Sequence, residues 1–344
     1  MITEHIIQKG DSRELSKSNK SIDLVITSPP YPMINIWDET FYRMNPEIKN
    51  ALIEENGMKA FELMHMELDK VWYNIYNLMK DGGIVCINIG DATRKVGRNF
   101  QIYPNHARII QSMTSIGFQA LPWIIWRKPT NSPTKFMGSG MLPPSAYVTL
   151  EHEFILIFRK NGKRVFSDSE RLLRRKSAFF WEERNLWFSD VWFDILGTSQ
   201  KLAPEIHIRN RSAAFPLEIA YRLIQMFSIY EDTVFDPFLG TGTTTIASAI
   251  SGRNSIGIEL EQELIDNIPK RLFEDIKLGR EIIAKRLEKH TEFIQNNDKT
   301  PKYFNKHLNT PVITKQETDI VFYEPIKITA ENNKFTIIYQ QYLA

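Results

Sequence analysis

Residues 22–31 read Ile-Asp-Leu-Val-Ile-Thr-Ser-Pro-Pro-Tyr, IDLVITSPPY. Ile22, Leu24, Val25 and Ile26 suit a strand buried in a parallel sheet, and neither Pro29 nor Pro30 can donate to a ladder, so the strand must stop at Ser28. Side chains at the carboxyl end of a strand in an open α/β sheet face the crevice where ligands bind. The tetrapeptide Ser28-Pro29-Pro30-Tyr31 is therefore expected to line a site. Its prolines hold a rigid, acceptor-rich corner, and Tyr31 offers a flat face.

Outward from this stretch, strand and helix patterns alternate. HIIQKGD (5–11) and DGGIVCINIGD (81–91) read as strands, and apolar residues recur at helical spacing over 60–79 through Phe61, Met64, Leu68, Val71, Trp72, Ile75 and Met79. A helix near 103–116 precedes the strand pattern 117–129. After a Gly/Pro-rich loop at 131–147 comes EHEFILIFRK (151–160), so the two strands read as an antiparallel hairpin at the sheet edge. Between about 160 and 205 the composition changes: arginines and lysines crowd together, followed by Phe179, Phe180, Trp181, Trp187, Phe188, Trp192 and Phe193. The alternation resumes with a helix over 216–228, the strand TVFDP, a helix over 243–251, the strand NSIGIEL and a helix from 261 to about 290. Beyond 295 a polar stretch leads to two short strand patterns, and no internal repeat is present.

A chain of 344 residues can bury a full core. With 43 basic and 41 acidic side chains its formal charge is +2, which makes no demand for nucleic acid, so any basic surface must be local. The single cysteine, Cys86, excludes an internal disulfide and a cysteine-rich metal site, as expected for a reducing cytosol. No apolar span of about twenty residues and no leading signal segment appear, so a soluble cytoplasmic protein with no membrane partner is expected. His106, His152 and His207 lack metal spacing, and no metal is expected.

The stretch VFDPFLGTGTTTIASAI (234–250) combines a strand, an acid at its end, a Gly-rich turn and the start of a helix. Gly240 and Gly242 permit tight turning and close ligand approach, and the amides at the helix start attract an anion; a carboxylate and a phosphate fit equally well. The spacing is neither the dinucleotide fingerprint nor the P-loop. Glu259 ends the next strand, where a carboxylate commonly takes the two hydroxyls of a ribose, implying an adenosine-containing cofactor.

DPFLGTGTT with GIEL resembles the S-adenosylmethionine-binding motifs of amino-group DNA methyltransferases, and TSPPY resembles their catalytic motif. The catalytic motif comes first, as in the permuted β group, typically the cytosine-N4 type of restriction-modification systems. GDSREL (10–15), DGGIVCINIGD, EHEFILIFRK and RNRSAAFPLEIAYRLI extend the resemblance over most of 5–275. It implies a methyltransferase-type, Rossmann-like α/β fold: a mostly parallel seven-stranded sheet with an antiparallel edge hairpin and an inserted target recognition region. The expected organisation is a catalytic half (1–158), the inserted recognition region (159–205), a cofactor-binding half (206–292) and a tail of unassigned role (293–344).

By the same resemblance Ser28, Pro29, Pro30 and Tyr31 are catalytic. Asp11, Phe215, Pro216, Asp236, Pro237, Phe238, Gly240, Gly242, Thr243 and Glu259 bind S-adenosylmethionine, which leaves as S-adenosylhomocysteine. Several assignments keep an alternative. Asp11 either accepts from the cofactor adenine or caps the turn before Ser12; Asp236 orients the methionine amine or the loop, or merely caps the strand end; Phe215 and Pro216 sit near the methionine end or serve helix-start packing.

An exocyclic amine is a poor nucleophile until acceptors localise its lone pair. Ser28 Oγ and the Pro29 carbonyl would do so for direct, in-line transfer, with the target base flipped out and stacked on Tyr31. A cytosine-C5 enzyme would need a thiolate, and Cys86 sits mid-strand among apolar neighbours. In the resembling family Ser before Pro-Pro usually accompanies cytosine N4 and Asp or Asn adenine N6, although a hydroxyl and a carboxylate both accept from an amine, so the residue by itself leaves the base open. Arg171, Arg174, Arg175 and Lys176 in the basic segment are the expected contacts to DNA phosphates. The implied partners are duplex DNA and a cognate restriction endonuclease acting on the same site, and a homodimer is compatible. A catalytically idle DNA-binding subunit and an RNA or small-molecule methyltransferase remain as rival readings.

Overall fold

The structure is a computed structural model that describes residues 1–15, 21–128, 137–197, 215–297 and 300–343. Seven strands form the centre of one sheet: β1 (Ile2–Lys9), β2 (Ile22–Thr27), β3 (Met79–Ile89), β6 (Gln119–Arg127), β9 (His152–Arg159), β11 (Thr233–Asp236) and β12 (Asn254–Glu259). Three short antiparallel hairpins lie outside it: β4 (Ala92–Val96) with β5 (Asn99–Tyr103), β7 (Met137–Gly138) with β8 (Ala146–Tyr147), and β13 (Tyr303–Asn305) with β14 (Thr310–Val312). Another three strands complete the sheet: β10 (Val191–Trp192), β15 (Tyr323–Glu331) and β16 (Lys334–Gln341).

The full order is β10-β6-β9-β3-β2-β11-β12-β1-β16-β15. From β3 to β1 every neighbouring pair is parallel, whereas β9 runs antiparallel to both β3 and β6. The expected seven-stranded sheet with its antiparallel hairpin is therefore present inside a sheet of ten strands. The extra strands come from the two segments whose sequence was least informative. β10 lies within 159–205 and pairs with β6 at one edge, and β15–β16 in the tail cap β1 at the other.

Burial follows the strand period. All six residues of β2 are buried, with Val25 facing one core and Leu24 and Ile26 the other. On the first face the helix Gly57–Leu78 lays Phe61, Met64, Leu68, Val71 and Ile75 against Val85 and Ile87. On the second, Ile219, Leu223 and Ile224 of the helix Leu217–Phe227 meet Leu24, Ile26 and Cys86. Side chains at alternate positions of one strand must point to opposite faces, so a strand covered on both sides reads as a continuous apolar run.

The connections run outward in opposite directions from the β2–β11 pair, where Leu24 stands opposite Val234 and Val25 opposite Phe235. This is the switch point of an open α/β sheet, and the crevice outside the strand carboxyl ends is the expected ligand site. It sets the end of β2, with Ser28, beside the end of β11, with Asp236.

The long helix expected from 261 is two helices, Gln262–Asp275 and Leu278–Asn296. The second packs with Phe180 of the 159–205 segment and with Leu308, Val312, Ile320 and Phe322 of the tail in a cluster of its own. Arg286 donates to both carboxylate oxygens of Glu183 at 2.5 and 2.7 Å, and His290 bonds Glu182 at 2.8 Å. The tail and the middle of the basic-aromatic segment thus form one packed unit. The first part of the 131–147 loop, residues around the 205/206 boundary and His207 lie outside the described residues.

Candidate active site

One cavity runs along the carboxyl ends of β1, β2, β11 and β12. It is lined by Gly10, Asp11, Ser28, Pro30, Phe215, Asp236, Pro237, Phe238, Gly240, Thr243 and Glu259 among others. Two stretches separated by some two hundred residues of chain thereby share one space. Pro29, Tyr31, Pro216 and Gly242 adjoin these lining residues in sequence and are not among them.

The Gly-rich loop is held by its own side chains. Asp236 is buried, and its carboxylate accepts from Thr27 Oγ1 at 2.7 Å, Thr244 Oγ1 at 2.6 Å and the Phe238 amide at 3.0 Å. It therefore orients the loop and joins it to β2. Burial raises its pKa to about 6 in spite of those three donors. Glu259 accepts from the Gly240 amide at 2.7 Å and from the amides of Leu260 and Glu261 at 2.9 and 3.0 Å. Arg271 donates to the Thr241 carbonyl at 2.6 Å.

The two glycines serve different needs. At Gly242, with φ +84°, a Cβ would meet Ile268 Cγ2 at 2.8 Å, so helix packing excludes a side chain. At Gly240, with φ +56°, a Cβ would meet only the Phe238 carbonyl at 3.9 Å, which leaves open space on the cavity side for a ligand to approach the backbone. These features fit an adenosine-containing cofactor: a bare backbone at Gly240, a carboxylate at the end of β12, and Asp11 and Phe215 along the same wall.

Asp11 caps the turn Ser12–Glu14 and also lines the cavity. It accepts from the Arg13 amide at 2.9 Å and forms a two-pronged ion pair with the Arg13 guanidinium, which also holds Glu67 at 2.6 Å. Hydrogen bonding from Arg13 and its charge keep the Asp11 carboxyl below its usual value against the opposing effect of burial, which is the largest single influence. Phe215 is buried in the core and lines the cavity, while Pro216 caps the helix Leu217–Phe227.

At the other end of the cavity, Ser28 Oγ donates to Tyr31 Oη at 3.2 Å, and Tyr31 Oη donates to Glu153 Oε2 at 2.9 Å. Asn88 Nδ2 donates to both Tyr31 Oη and Glu153 Oε2, at 2.8 and 2.7 Å, and Lys128 Nζ donates to Glu153 Oε1 at 2.8 Å. Tyr31 lies against Gly90, where a Cβ would come within 3.2 Å of the ring. Cys86 is buried, and burial pushes its thiol far above the usual range, which leaves no thiolate for C5 chemistry.

Sequence reasoning missed several residues here. Glu153, Asn88 and Lys128 come from three further strand ends, and only the pairing of β9 between β3 and β6 brings them to Tyr31. Thr27 and Thr244 were embedded in the motifs themselves, and their hydroxyls bear on Asp236. Trp37, Thr40 and Met44, from the helical stretch after the catalytic tetrapeptide, cover the cavity. That stretch is latched across it by Arg43 to Glu261 at 2.9 Å.

The structure does not bring Arg171, Arg174, Arg175 and Lys176 to this site. They lie on the helix Asp168–Lys176, whose neighbours are at the amino ends of the strands. Arg164, just before it, pairs with Asp232 at 2.7 Å and Asp23 at 3.5 Å, and Ser177, just after it, accepts from the Tyr230 amide. The six residues of β2 separate that end from Ser28 by about 20 Å at about 3.3 Å per residue. Arg171 pairs with Asp168 and Arg175 with Asp319, while Arg174 lies over the Phe166 ring. These four residues, expected to contact DNA phosphates, thus lie at the end of the sheet opposite Ser28, and the chain returns to the carboxyl end only after β10.

A ten-stranded, mainly parallel sheet with a Gly-rich cofactor loop and a Ser-Pro-Pro-Tyr strand end sharing one cavity defines a methyltransferase-type α/β protein. A family model described as DNA methylase, of the N6/N4 methyltransferases, matches residues 22–270, and the chain belongs to that family. It is 54% identical to the Type II methyltransferase M.MthZI of Methanothermobacter thermautotrophicus over 99% of this chain and 96% of the relative. It is 48% identical to the Type II methyltransferase M.MjaI of Methanocaldococcus jannaschii over 78% of this chain and 91% of that one. Among solved structures, the putative DNA modification methylase TTHA0409 of Thermus thermophilus, complexed with S-adenosyl-L-methionine, superposes with a TM-score of 0.61 at 32% identity, covering 79% of this chain and 94% of its own.

Proposed function

We propose that this chain transfers the methyl group of S-adenosylmethionine to the exocyclic N4 amine of a cytosine flipped out of a specific duplex DNA site. The observation that carries the reading is the single cavity shared by Ser28 with Gly240 and Glu259. Pro30 of the same tetrapeptide lines that cavity as well. Membership of the DNA methylase family supports the substrate class, and the cofactor-bound relative supports the cofactor.

When bound, S-adenosylmethionine supplies an electrophilic methyl group on a positively charged sulfur. The chain's own residues do the rest. Glu259 and the open backbone at Gly240 hold the nucleoside end, and Ser28 Oγ and the Pro29 carbonyl accept the amine hydrogens, which turns the nitrogen lone pair toward the methyl group. Tyr31 supplies a face for the base. The hydroxyl of Ser28, in the position that the family resemblance associates with cytosine, favours N4 over N6.

The duplex is read from the carboxyl rim, where the Lys128 amide donates to the Glu151 carbonyl at 2.8 Å and a Cβ at Gly197 would meet the Lys128 side chain at 3.4 Å. Phe100 of the β4–β5 hairpin stacks on Tyr147 there at 4.7 Å. Residues 1–158 and 206–292 act as two halves of one catalytic domain, supported by the sheet they share. Kinship with Type II methyltransferases supports a cognate endonuclease acting on the same site.

Tritiated methyl transfer from S-adenosylmethionine to unmethylated plasmid DNA, followed by nucleoside analysis, tests the reading. N4-methylcytosine is expected. N6-methyladenine would overturn the base assignment, and label on RNA alone would overturn the substrate class.

A further inference from the structure

We infer that Glu153 is the positioning residue and proton acceptor of the transfer step, acting on Ser28 through the hydroxyl of Tyr31; this rests on the proposed amine methylation. The inference begins from donor counting. A phenol has one hydrogen and two lone pairs. Tyr31 Oη receives Asn88 Nδ2 at 2.8 Å and Ser28 Oγ at 3.2 Å, so its only hydrogen is left for Glu153 Oε2 at 2.9 Å.

The consequence falls on Ser28. Its hydroxyl hydrogen is committed to Tyr31, which turns the remaining lone pairs of Oγ outward as acceptors. An acceptor is what an exocyclic amine requires, since the amine presents hydrogens. A serine free to rotate could equally present its own hydrogen to the amine, which would tie up the lone pair that has to attack. Glu153 therefore selects the productive orientation through an intermediary.

The same chain gives the leaving proton a route. Once the nitrogen forms its bond to the methyl carbon and the carbon–sulfur bond breaks, the electron pair of that bond stays on sulfur and the amine is left with a positive charge and one hydrogen too many. The N–H bond breaks toward Ser28 Oγ as the serine hydroxyl hydrogen moves to Tyr31 Oη and the phenol hydrogen moves to Glu153 Oε2. Each oxygen gives up one proton as it gains one, and the carboxylate ends as a carboxylic acid. Nothing is oxidised or reduced. Burial and the Glu153 charge hold the Tyr31 phenol well above its usual value, so Tyr31 passes a proton along without resting as a phenolate.

Glu153 is prepared as an acceptor by its other neighbours. Lys128 Nζ donates to Oε1 at 2.8 Å and Asn88 donates to Oε2 at 2.7 Å, which fixes the carboxylate group with Oε2 facing the Tyr31 hydroxyl. These groups arrive from β3, from the antiparallel β9 and from the residue after β6. The arrangement is thus a product of the hairpin placed inside the sheet.

Single-turnover methyl transfer to unmethylated plasmid DNA by Glu153→Gln, Tyr31→Phe and the double variant tests this, with S-adenosylmethionine binding and DNA KM measured alongside. Each single change is expected to slow transfer by about a hundredfold, the lower end for a lost acid–base group. KM and cofactor affinity should stay within about threefold. The double variant should be no slower than either single, because both break one chain. A wild-type rate in Glu153→Gln, or losses that multiply in the double variant, would overturn the inference. If Glu153→Gln fails to fold, Tyr31→Phe, which removes one oxygen, decides alone: a wild-type rate overturns the inference and a hundredfold loss upholds it. A wild-type rate in Ser28→Ala would likewise overturn the inference, whereas absence of methyl transfer to DNA by the wild-type protein is the outcome in which the underlying methylation reading fails.

Discussion

Thr27 donates its hydroxyl hydrogen to Asp236 Oδ1 at 2.7 Å across 209 positions of sequence. The bond ties the last residue of the strand that leads into the catalytic tetrapeptide to the last residue of the strand that leads into the Gly-rich loop. Thr244, in the first turn of the following helix, closes the triangle at 2.6 Å. Any shift of the cofactor loop is therefore felt one residue away from Ser28.

Asp236 gives this junction a pH signature. Its pKa is raised from 3.8 to about 6 by burial, so between those values the folded state binds more protons than the unfolded chain. Stability then falls as pH rises through that window, and the full cost, roughly 3 kcal/mol, is carried above it. Asp236→Asn removes the titration. The melting temperature of the wild type relative to the variant is expected to drop as pH goes from about 5 to about 7; parallel pH dependences in thermal melts would refute the assignment. Buried His5 and His65, both with lowered pKa values, act in the opposite sense but are common to both proteins.

Ser28→Ala is expected to reduce methyl transfer by at least about a hundredfold while leaving S-adenosylmethionine affinity within a few fold. The side chain lines the cavity at the catalytic end, and its hydroxyl is bonded to Tyr31 rather than to the cofactor loop. Calorimetric titration with the cofactor and single-turnover transfer to DNA separate the two effects. Unchanged turnover would remove Ser28 from the chemistry.

The centre of the fold was legible because β2, β3 and β12 are short apolar runs closed by breakers, and Gly240 and Gly242 punctuate the loop at a strand end. Local pattern and tertiary position agree there. The edges were not legible. β10 is two residues long, and its pairing with Ile125 and Trp126 depends on a long-range contact. The position of the charge run at 171–176 was not legible either, because sequence carries the sign of a side chain but not the end of the sheet it reaches. Glu153 sat in an apolar strand where nothing local marked it. Only the antiparallel insertion of β9 aims it at Tyr31.

Glu259→Ala is expected to weaken S-adenosylmethionine binding by about 1.5 to 3 kcal/mol, the range for hydrogen bonds to a charged group. Two effects contribute: loss of the acceptor for the ribose hydroxyls, and release of the Gly240, Leu260 and Glu261 amides that the carboxylate now holds. Glu259→Gln keeps one acceptor oxygen and should lose less. Wild-type affinity in Glu259→Ala, measured by calorimetry, would contradict the cofactor assignment.

Neutralising Arg174 and Arg175 together distinguishes the amino end of the sheet from the carboxyl rim as the DNA-facing side. Every DNA phosphate that the protein ceases to neutralise removes about 0.9 from the slope of log affinity against log salt, so two phosphate-binding arginines would flatten it by nearly two when replaced. Arg174 instead lies over Phe166, and Arg175 faces Asp319 at 3.4 Å, on a helix about 20 Å from Ser28 along β2. The double substitution Arg174→Gln, Arg175→Gln is therefore expected to leave both the salt slope and the preference for the cognate duplex unchanged. A rim cation behaves differently. Lys128 sits at the catalytic end of β6 and pairs with Glu153, so Lys128→Gln should lower the transfer rate as well as affinity. Binding to cognate and scrambled duplexes across a salt series, with transfer rates on the same proteins, reads all of these outcomes. A flattened slope in the arginine variant alone would move the DNA to the amino end and require the duplex to wrap the edge of the sheet to reach Ser28.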